Sequence, residues 1–529
     1  MKKIFALLLA LCLLPAMAMA AEVDISAMAG SQTFGDTEVT ITGTAGSSLS
    51  LIFQDTVEKV ILKDVQFTAP ADQYALLFKH SADESVKVIF KGTNAVTGGD
   101  DAIYSEGSVA VEPADSAPSH TLTLTGGSHA DKTGGSGIWA HDVSIAGYVT
   151  AVGGNSEKSD GGAGVYAARD IDISGDVTAT GGNSEKSYGG AGVYAEDDID
   201  ISGMVTAAGG NSEEGCGGRG ICAAYDIDIS GTVKSAIGGN GAQGGGWGLR
   251  AGNINISGTV LKAIGGNSTN GTGGIALNAG KSINICGMVK SAVGGSSGRA
   301  GNSGISAQEG DIVISGVVES TVGGDAVEMR AGDGIQLGYG NLLITETGVV
   351  ESAVGGDCVN GYNNRAGNGV FCSKGDATIS GSLKAVGGNT VNIKGGDGIT
   401  AKNITIGISG NVNAGGGNSE KSSAGFGASA TENVEISGRL FAMSGIGGKD
   451  VKDVVAVSSK KLLLNDVSAS ESMDGRWWEK TRSSNMRFFS APEMINPPLT
   501  GDDSQFGLWV LLMGMAGAAM LMLRKRARN

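Results

Sequence analysis

Val165 and Ala167 share one face of a short alternating stretch, as do Ile171 and Ile173 of the stretch after it, and Val177-Thr178-Ala179 is a third, each ending at Gly-containing turns. Alternation with a period of two predicts half-buried strands. Three brief strands, the turns Ser174-Gly175 and Gly181-Gly182-Asn183, and the loop SEKSYGG complete the unit 164–191. The next unit repeats it almost letter for letter: GGNSEKSDGGAGVYAARDIDISG at 153–175 returns as GGNSEKSYGGAGVYAEDDIDISG at 181–203. The glycine of each I-S-G-like turn stands at 147, 175, 203, 231, 258, 287, 316, 348, 381, 410 and 438. The steps are 28, 28, 28, 27, 29, 29, 32, 33, 29 and 28 residues. One such unit cannot bury its own apolar face, whereas stacking it on a neighbour buries that face and pairs the backbone. The pattern predicts an all-β chain wound as a parallel β-helix, or β-solenoid, of ~28-residue coils. A propeller blade would need ~40–45 residues, and helical repeats a 3.6-residue period.

Residues 21–125 keep the style without the strict period. VTIT at 39–42, LSLIF at 49–53, VEKVILKDVQF at 57–67, YALLFK at 74–79, VKVIFKG at 86–92 and TLTLTGG at 121–127 read as strands of less regular first coils and a cap. The repetitive solenoid is expected over 126–450, a C-terminal cap over 451–470 and a spacer, with Trp477 and Trp478, over 471–496.

Composition agrees: 91 of the 529 residues are glycine and only 7 are proline. The ends have their own signature. Lys2, Lys3, an apolar core from Ile4 to Leu14 and Ala18-Met19-Ala20 form a secretory signal peptide over 1–20. Phe506 to Leu523 is an uncharged run long enough to span a bilayer, followed by the basic RKRAR. With Pro498, Thr500 and Gly501 upstream, the segment 497–529 resembles the LPxTG-like cell-wall sorting signal of Gram-positive surface proteins, with Pro497 where that motif has leucine. The resemblance implies cleavage between Thr500 and Gly501 by a sortase and attachment to peptidoglycan, on the outer face of the cell. The alternative is a plain C-terminal membrane anchor. Without leader and tail, 32 basic and 52 acidic residues remain, a net charge of −20. That charge disfavours nucleic acid and anionic lipid and favours cations or neutral sugars.

The stretch 60–111 and the GIxAxxDIxISGxVxAxGGN-like units after it resemble the secreted carbohydrate-binding domain-containing proteins of Gram-positive bacteria. This resemblance implies a right-handed β-helix, similar in fold to pectate lyases, with a polysaccharide as partner.

Candidate chemistry follows from the register. The outward slot of the first strand reads Trp139, Tyr166, Tyr194, Cys222, Arg250. The three aromatics would form a strip suited to sugar rings, or a ladder that only stiffens the sheet. Asp170, Asp198 and Asp226 form one acidic column, and Asp172, Asp200 and Asp228 another. Ca²⁺ would bridge such carboxylates; the alternative is a solvated acidic face. No other cofactor is implied. The recurrent Asn155, Asn183, Asn211, Asn240, Asn267, Asn389 and Asn418 are expected to bond one another as a ladder of αL-tolerant turn residues. Cys216–Cys222 and Cys358–Cys372 are close enough in sequence to pair, and Cys286, in the slot of a serine, is expected to be buried. The four histidines, His80, His120, His129 and His141, show no catalytic spacing. A lyase would need a basic residue such as Arg169, Arg219 or Arg250 beside calcium-binding acids. The sequence therefore points to a non-catalytic, surface-held polysaccharide binder, with a structural stalk and a polysaccharide lyase as alternatives.

Overall fold

The computed structural model describes residues 21–360, 365–448, 455–464, 469–471 and 477–480. Signal peptide, sorting motif and the apolar run 506–523 lie outside them. Among the described residues no helix is long and apolar enough to cross a membrane.

The chain is an all-β parallel solenoid. Each coil contributes one strand to each of three strips, as Val165–Ala167, Ile171–Ile173 and Asp176–Thr180 do. The first strip is a 16-stranded sheet from Gly30–Phe34 to Val457–Ser458. The second and third strips merge at the long strand Lys59–Thr68, which pairs with both Ser85–Lys91 and Thr93–Thr97. Register follows the repeat: Ile171, Asp172 and Ile173 lie against Ile199, Asp200 and Ile201. About fourteen turns at ~4.8 Å each make a rod of roughly 65 Å.

The dry interior is the set of alternating aliphatics. Val165, Ala167, Ile171, Ile173, Val177 and Ala179 are all buried, and so are their counterparts one coil on, from Val193 to Ala207. Each such Val or Ile contributes ~1.5–3 kcal/mol by leaving water. Toward the N-terminus the filling is larger, with Phe34, Phe53 and Phe78 stacked inside the first strip at 5.5 and 4.9 Å.

Three corrections to the sequence reading concern local chemistry. First, the turn asparagines do not bond side chain to side chain. Each Oδ1 accepts the backbone N–H of the next coil: Asn155 from Asn183 at 2.7 Å, Asn183 from Asn211 at 2.7 Å, Asn211 from Asn240 at 2.8 Å. Asp325 and Asp357 do the same for Asp357 and Asn389. Nor are these asparagines left-handed, since among the described residues Asp64 and Asp72 are the non-glycine residues with positive φ. Second, neither Cys216–Cys222 nor Cys358–Cys372 is joined by a disulfide. Third, Cys286 is exposed, and its Sγ lies 3.5 Å from the Ile256 carbonyl, in the place of the serine hydroxyls of neighbouring turns. Burial pushes the Cys372 thiol up to about 12.

At the C-terminal end the pattern changes. Val457–Ser458 and Lys461–Leu464, placed by sequence in a cap, still pair in parallel with the coil before them. The strand Trp477–Lys480, within the stretch assigned to a spacer, then pairs antiparallel with Arg439–Met443 and with Ala469–Glu471. An antiparallel strand laid along the last coil covers backbone groups that would otherwise template another chain.

Candidate ligand-binding face

The strands of the first strip are short, with first and third residues buried, so the middle residue recurs as an axial column. Leu77, Tyr104, Trp139, Tyr166, Tyr194, Cys222 and Arg250 are register partners in turn. The three aromatics named from sequence do come together. Trp139 stacks on Tyr166 at 5.6 Å and Tyr166 on Tyr194 at 5.4 Å, with ring planes within 6° and 13°. Two rings that sequence reading missed extend the stack: Tyr104 lies 4.7 Å from Trp139, and Tyr74 lies 4.4 Å from Tyr104. Ring faces are therefore turned to one another, and ring edges and phenol hydroxyls to solvent. Tyr166 donates its hydroxyl to Glu196. Partial burial raises the phenols of Tyr104, Tyr166 and Tyr194, and holds Tyr74 up at about 12.

Beyond Tyr194 the column changes to cations on an aromatic. Arg250 lies 4.2 Å and Arg219 5.1 Å from the Trp247 ring centre. Arg169 instead sits among Asp142, Asp170 and Asp197 at 3.3–3.8 Å, in a half-exposed network. Beneath the first rings is Asp101, 8% exposed, which accepts the Ser136 backbone N–H. Burial raises its carboxyl to about 7, and the neighbouring Asp100 adds to the effect.

The two acidic columns behave differently. Asp170 and Asp198 are spent on the backbone, accepting the N–H of Asp198 at 3.2 Å and of Asp226 at 2.8 Å. Asp172, Asp200 and Asp228 point outward in register. Desolvation first, then neighbouring aspartates, raises the carboxyls of Asp172 and Asp200. The column relieves itself further on: Asn255 donates to Asp228 at 2.7 Å, and Asn284 to Asn255 at 2.9 Å. No group of three or more His, Cys, Asp or Glu side chains among the described residues is arranged to hold a metal ion. Asp200→Asn removes a raised carboxyl and is expected to stabilise the fold at pH 7–8 by a few tenths of a kcal/mol after solvent screening, with a correspondingly higher melting temperature. Because the folded carboxyl is raised, the gain should vanish once the pH falls below the ordinary aspartate range, and shrink in high salt. Thermal melts of the variant across pH and salt measure it.

A groove of about 580 Å³ runs along the turn strip and is lined by Asn155, Asn183, Asn211, Glu157, Glu185 and Glu213. Its asparagine oxygens are already taken by the backbone ladder.

The molecule is thus a parallel β-solenoid with an aromatic and cationic ridge along one strip. Comparison with protein-family models, curated proteins and solved structures finds no match for the chain.

Proposed function

We propose that this protein is a non-catalytic, surface-held rod that binds polysaccharide along its first strip. The supporting observation is the unbroken run of five rings from Tyr74 to Tyr194, continued by Arg219, Trp247 and Arg250. A glycan laid along the axis meets ring edges, phenol hydroxyls and guanidinium groups at coil spacing, and sugars carry both C–H surface and hydroxyls to match them. The sorting-signal resemblance at Pro498, Thr500 and Gly501 supports attachment to the cell wall through a sortase, with the membrane touched only by 506–523. A Ca²⁺ site and a lyase are not part of this reading: Arg169 is engaged with Asp142, Asp170 and Asp197, and Arg219 and Arg250 lie over the Trp247 ring.

A specific observation favours a second reading, a purely structural stalk. Ring faces paired with one another leave no flat platform except at the ends of the stack. The two readings separate in one comparison. Wild type and Trp139→Ala/Tyr166→Ala/Tyr194→Ala are titrated with soluble neutral and acidic polysaccharides, with circular dichroism confirming that both remain folded. Binding by the wild type that weakens about tenfold or more in the variant is the expected result. Equal affinity in both would refute the aromatic strip as the site, and no binding by either leaves the stalk.

A further inference from the structure

Phe371 is the outward residue of the first strand Val370–Cys372, between Gln336 and Thr400 of the neighbouring coils. Two guanidinium groups flank its ring: Arg365 at 4.1 Å and Arg330 at 4.8 Å from the centre. In three successive coils a cation stands three residues before a buried polar residue: Arg330 before Asp333, Arg365 before Asn368, Lys394 before Asp397. These buried residues are 0%, 0% and 2% exposed.

Each spends one oxygen on the next coil. Asp333 Oδ1 accepts from the Asn368 backbone at 2.7 Å, Asn368 Oδ1 from Asp397 at 2.8 Å, and Asp397 Oδ1 from Phe426 at 2.8 Å. Each aspartate also holds the cation of its own coil: Arg330 pairs with Asp333 Oδ2, and Lys394 with both Asp397 oxygens, at 2.8 Å to Oδ1 and 3.1 Å to Oδ2, the Thr400 hydroxyl donating to Oδ2 at 3.0 Å. In the middle coil the corresponding atom is the Asn368 amide nitrogen. It is buried and has no hydrogen-bond partner among the described residues. Arg365, held in register by its bridge to Lys394, makes no ion pair among them either. Where the column twice places a carboxylate in its own coil, it here places an amide, and Arg365 feels only the carboxylates of Asp333 and Asp397 in the coils on either side. A buried unpaired donor is costly, and native structures rarely keep one without a partner.

We propose that Arg365 and Asn368 form a binding site for an exogenous carboxylate, which takes the place of the carboxylate that Asp333 and Asp397 supply in the adjoining coils. A carboxylate fits because its two oxygens accept from a guanidinium and an amide together. Burial, which pushes the Arg365 guanidinium below its ordinary value, is the kind of cost a bound anion offsets. The site lies in the turn before the first-strip strand Val370–Cys372, with Arg365 over the outward Phe371, and it does not depend on the aromatic ridge binding sugar.

The test is calorimetric titration of the full chain with sodium glucuronate, sodium acetate, glucose and sodium sulfate at constant ionic strength. Saturable heat from a carboxylate is expected, with glucose silent. Glucuronate alone would make an acidic sugar the source, and equal response to acetate any small carboxylate. Asn368→Asp supplies the missing group from within, so it should bind at least about tenfold more weakly and melt higher than the wild type. Arg365→Gln should also lose binding, which keeps the test open should the first variant misfold. The Trp139/Tyr166/Tyr194 alanine variant should bind carboxylate unchanged, so this site and the polysaccharide reading can fail separately. Heat from sulfate but from neither carboxylate, no saturable heat at all, or wild-type affinity in both site variants would overturn the proposal.

Discussion

Gly182→Ala is expected to destabilise the rod by about 3 kcal/mol or more and to lower its melting temperature by several degrees, measured by circular dichroism. A methyl group built on Gly182 would lie 1.8 Å from the Gly154 carbonyl oxygen of the preceding coil. That neighbour is backbone already held by hydrogen bonds: the Gly154 carbonyl accepts the Gly162 N–H at 2.8 Å, and the Gly154 N–H donates to the Gly135 carbonyl at 2.7 Å. The obstacle cannot swing aside as a side chain would. Gly415→Ala is the control. There the added methyl meets only the Val386 methyls at 3.9 Å, so the change should be neutral or stabilise by up to ~1 kcal/mol through the unfolded chain. Equal losses at both positions would refute the close-approach explanation.

Asp101→Asn is expected to stabilise the protein strongly in alkaline solution and hardly at all in acid. Raising a carboxyl from its ordinary 3.8 to about 7 costs on the order of 4 kcal/mol of folding free energy at a pH above both values. Below the ordinary value both folded and unfolded carboxyls are protonated, and the cost is absent. Between the two it grows as the unfolded chain ionises first, and above about 7 it is complete. Wild-type stability should therefore carry a decline between pH 4 and 7 that the variant lacks. The amide oxygen of asparagine can still accept the Ser136 N–H, as Asn368 does for Asp397 at the equivalent slot of its own coil, while an unpaired amide N–H₂ like that of Asn368 would offset about 1–3 kcal/mol of the gain at every pH. Melts of wild type and variant at pH 4, 6 and 8 decide it. A variant that loses stability at pH 8 would mean that the ionised Asp101 is held by a partner.

The coil, its three strands and its dry face were legible because Val165, Ile171, Ile173 and Val177 recur at a spacing that only stacking can satisfy. The strip of Trp139, Tyr166 and Tyr194 was legible for the same reason, since an equal step puts equal letters side by side. Tyr104 escaped because 35 residues, not 28, separate it from Trp139, although IYS at 103–105 and IWA at 138–140 occupy the same slot. Glycine was read as a turn former. Positive φ occurs, among the described residues, at Gly30, Gly43, Gly92 and Gly147, whereas Gly182 is needed for room. The exposed Cys286 was misjudged because a thiol can take over a serine's contact with a carbonyl without being buried. The cation–carboxylate column escaped because the step there stretches to 35 and 29 residues, which hides Asp333, Asn368 and Asp397 from a fixed period.

The near-identity of the coils at 153–175 and 181–203 also bears on how such a protein can change size. Each winding pairs its backbone only with the one before and the one after, and both junctions have the same shape. In-frame loss or duplication of one winding would leave every remaining junction intact, so reach could be adjusted in discrete steps during inheritance without redesigning either terminus.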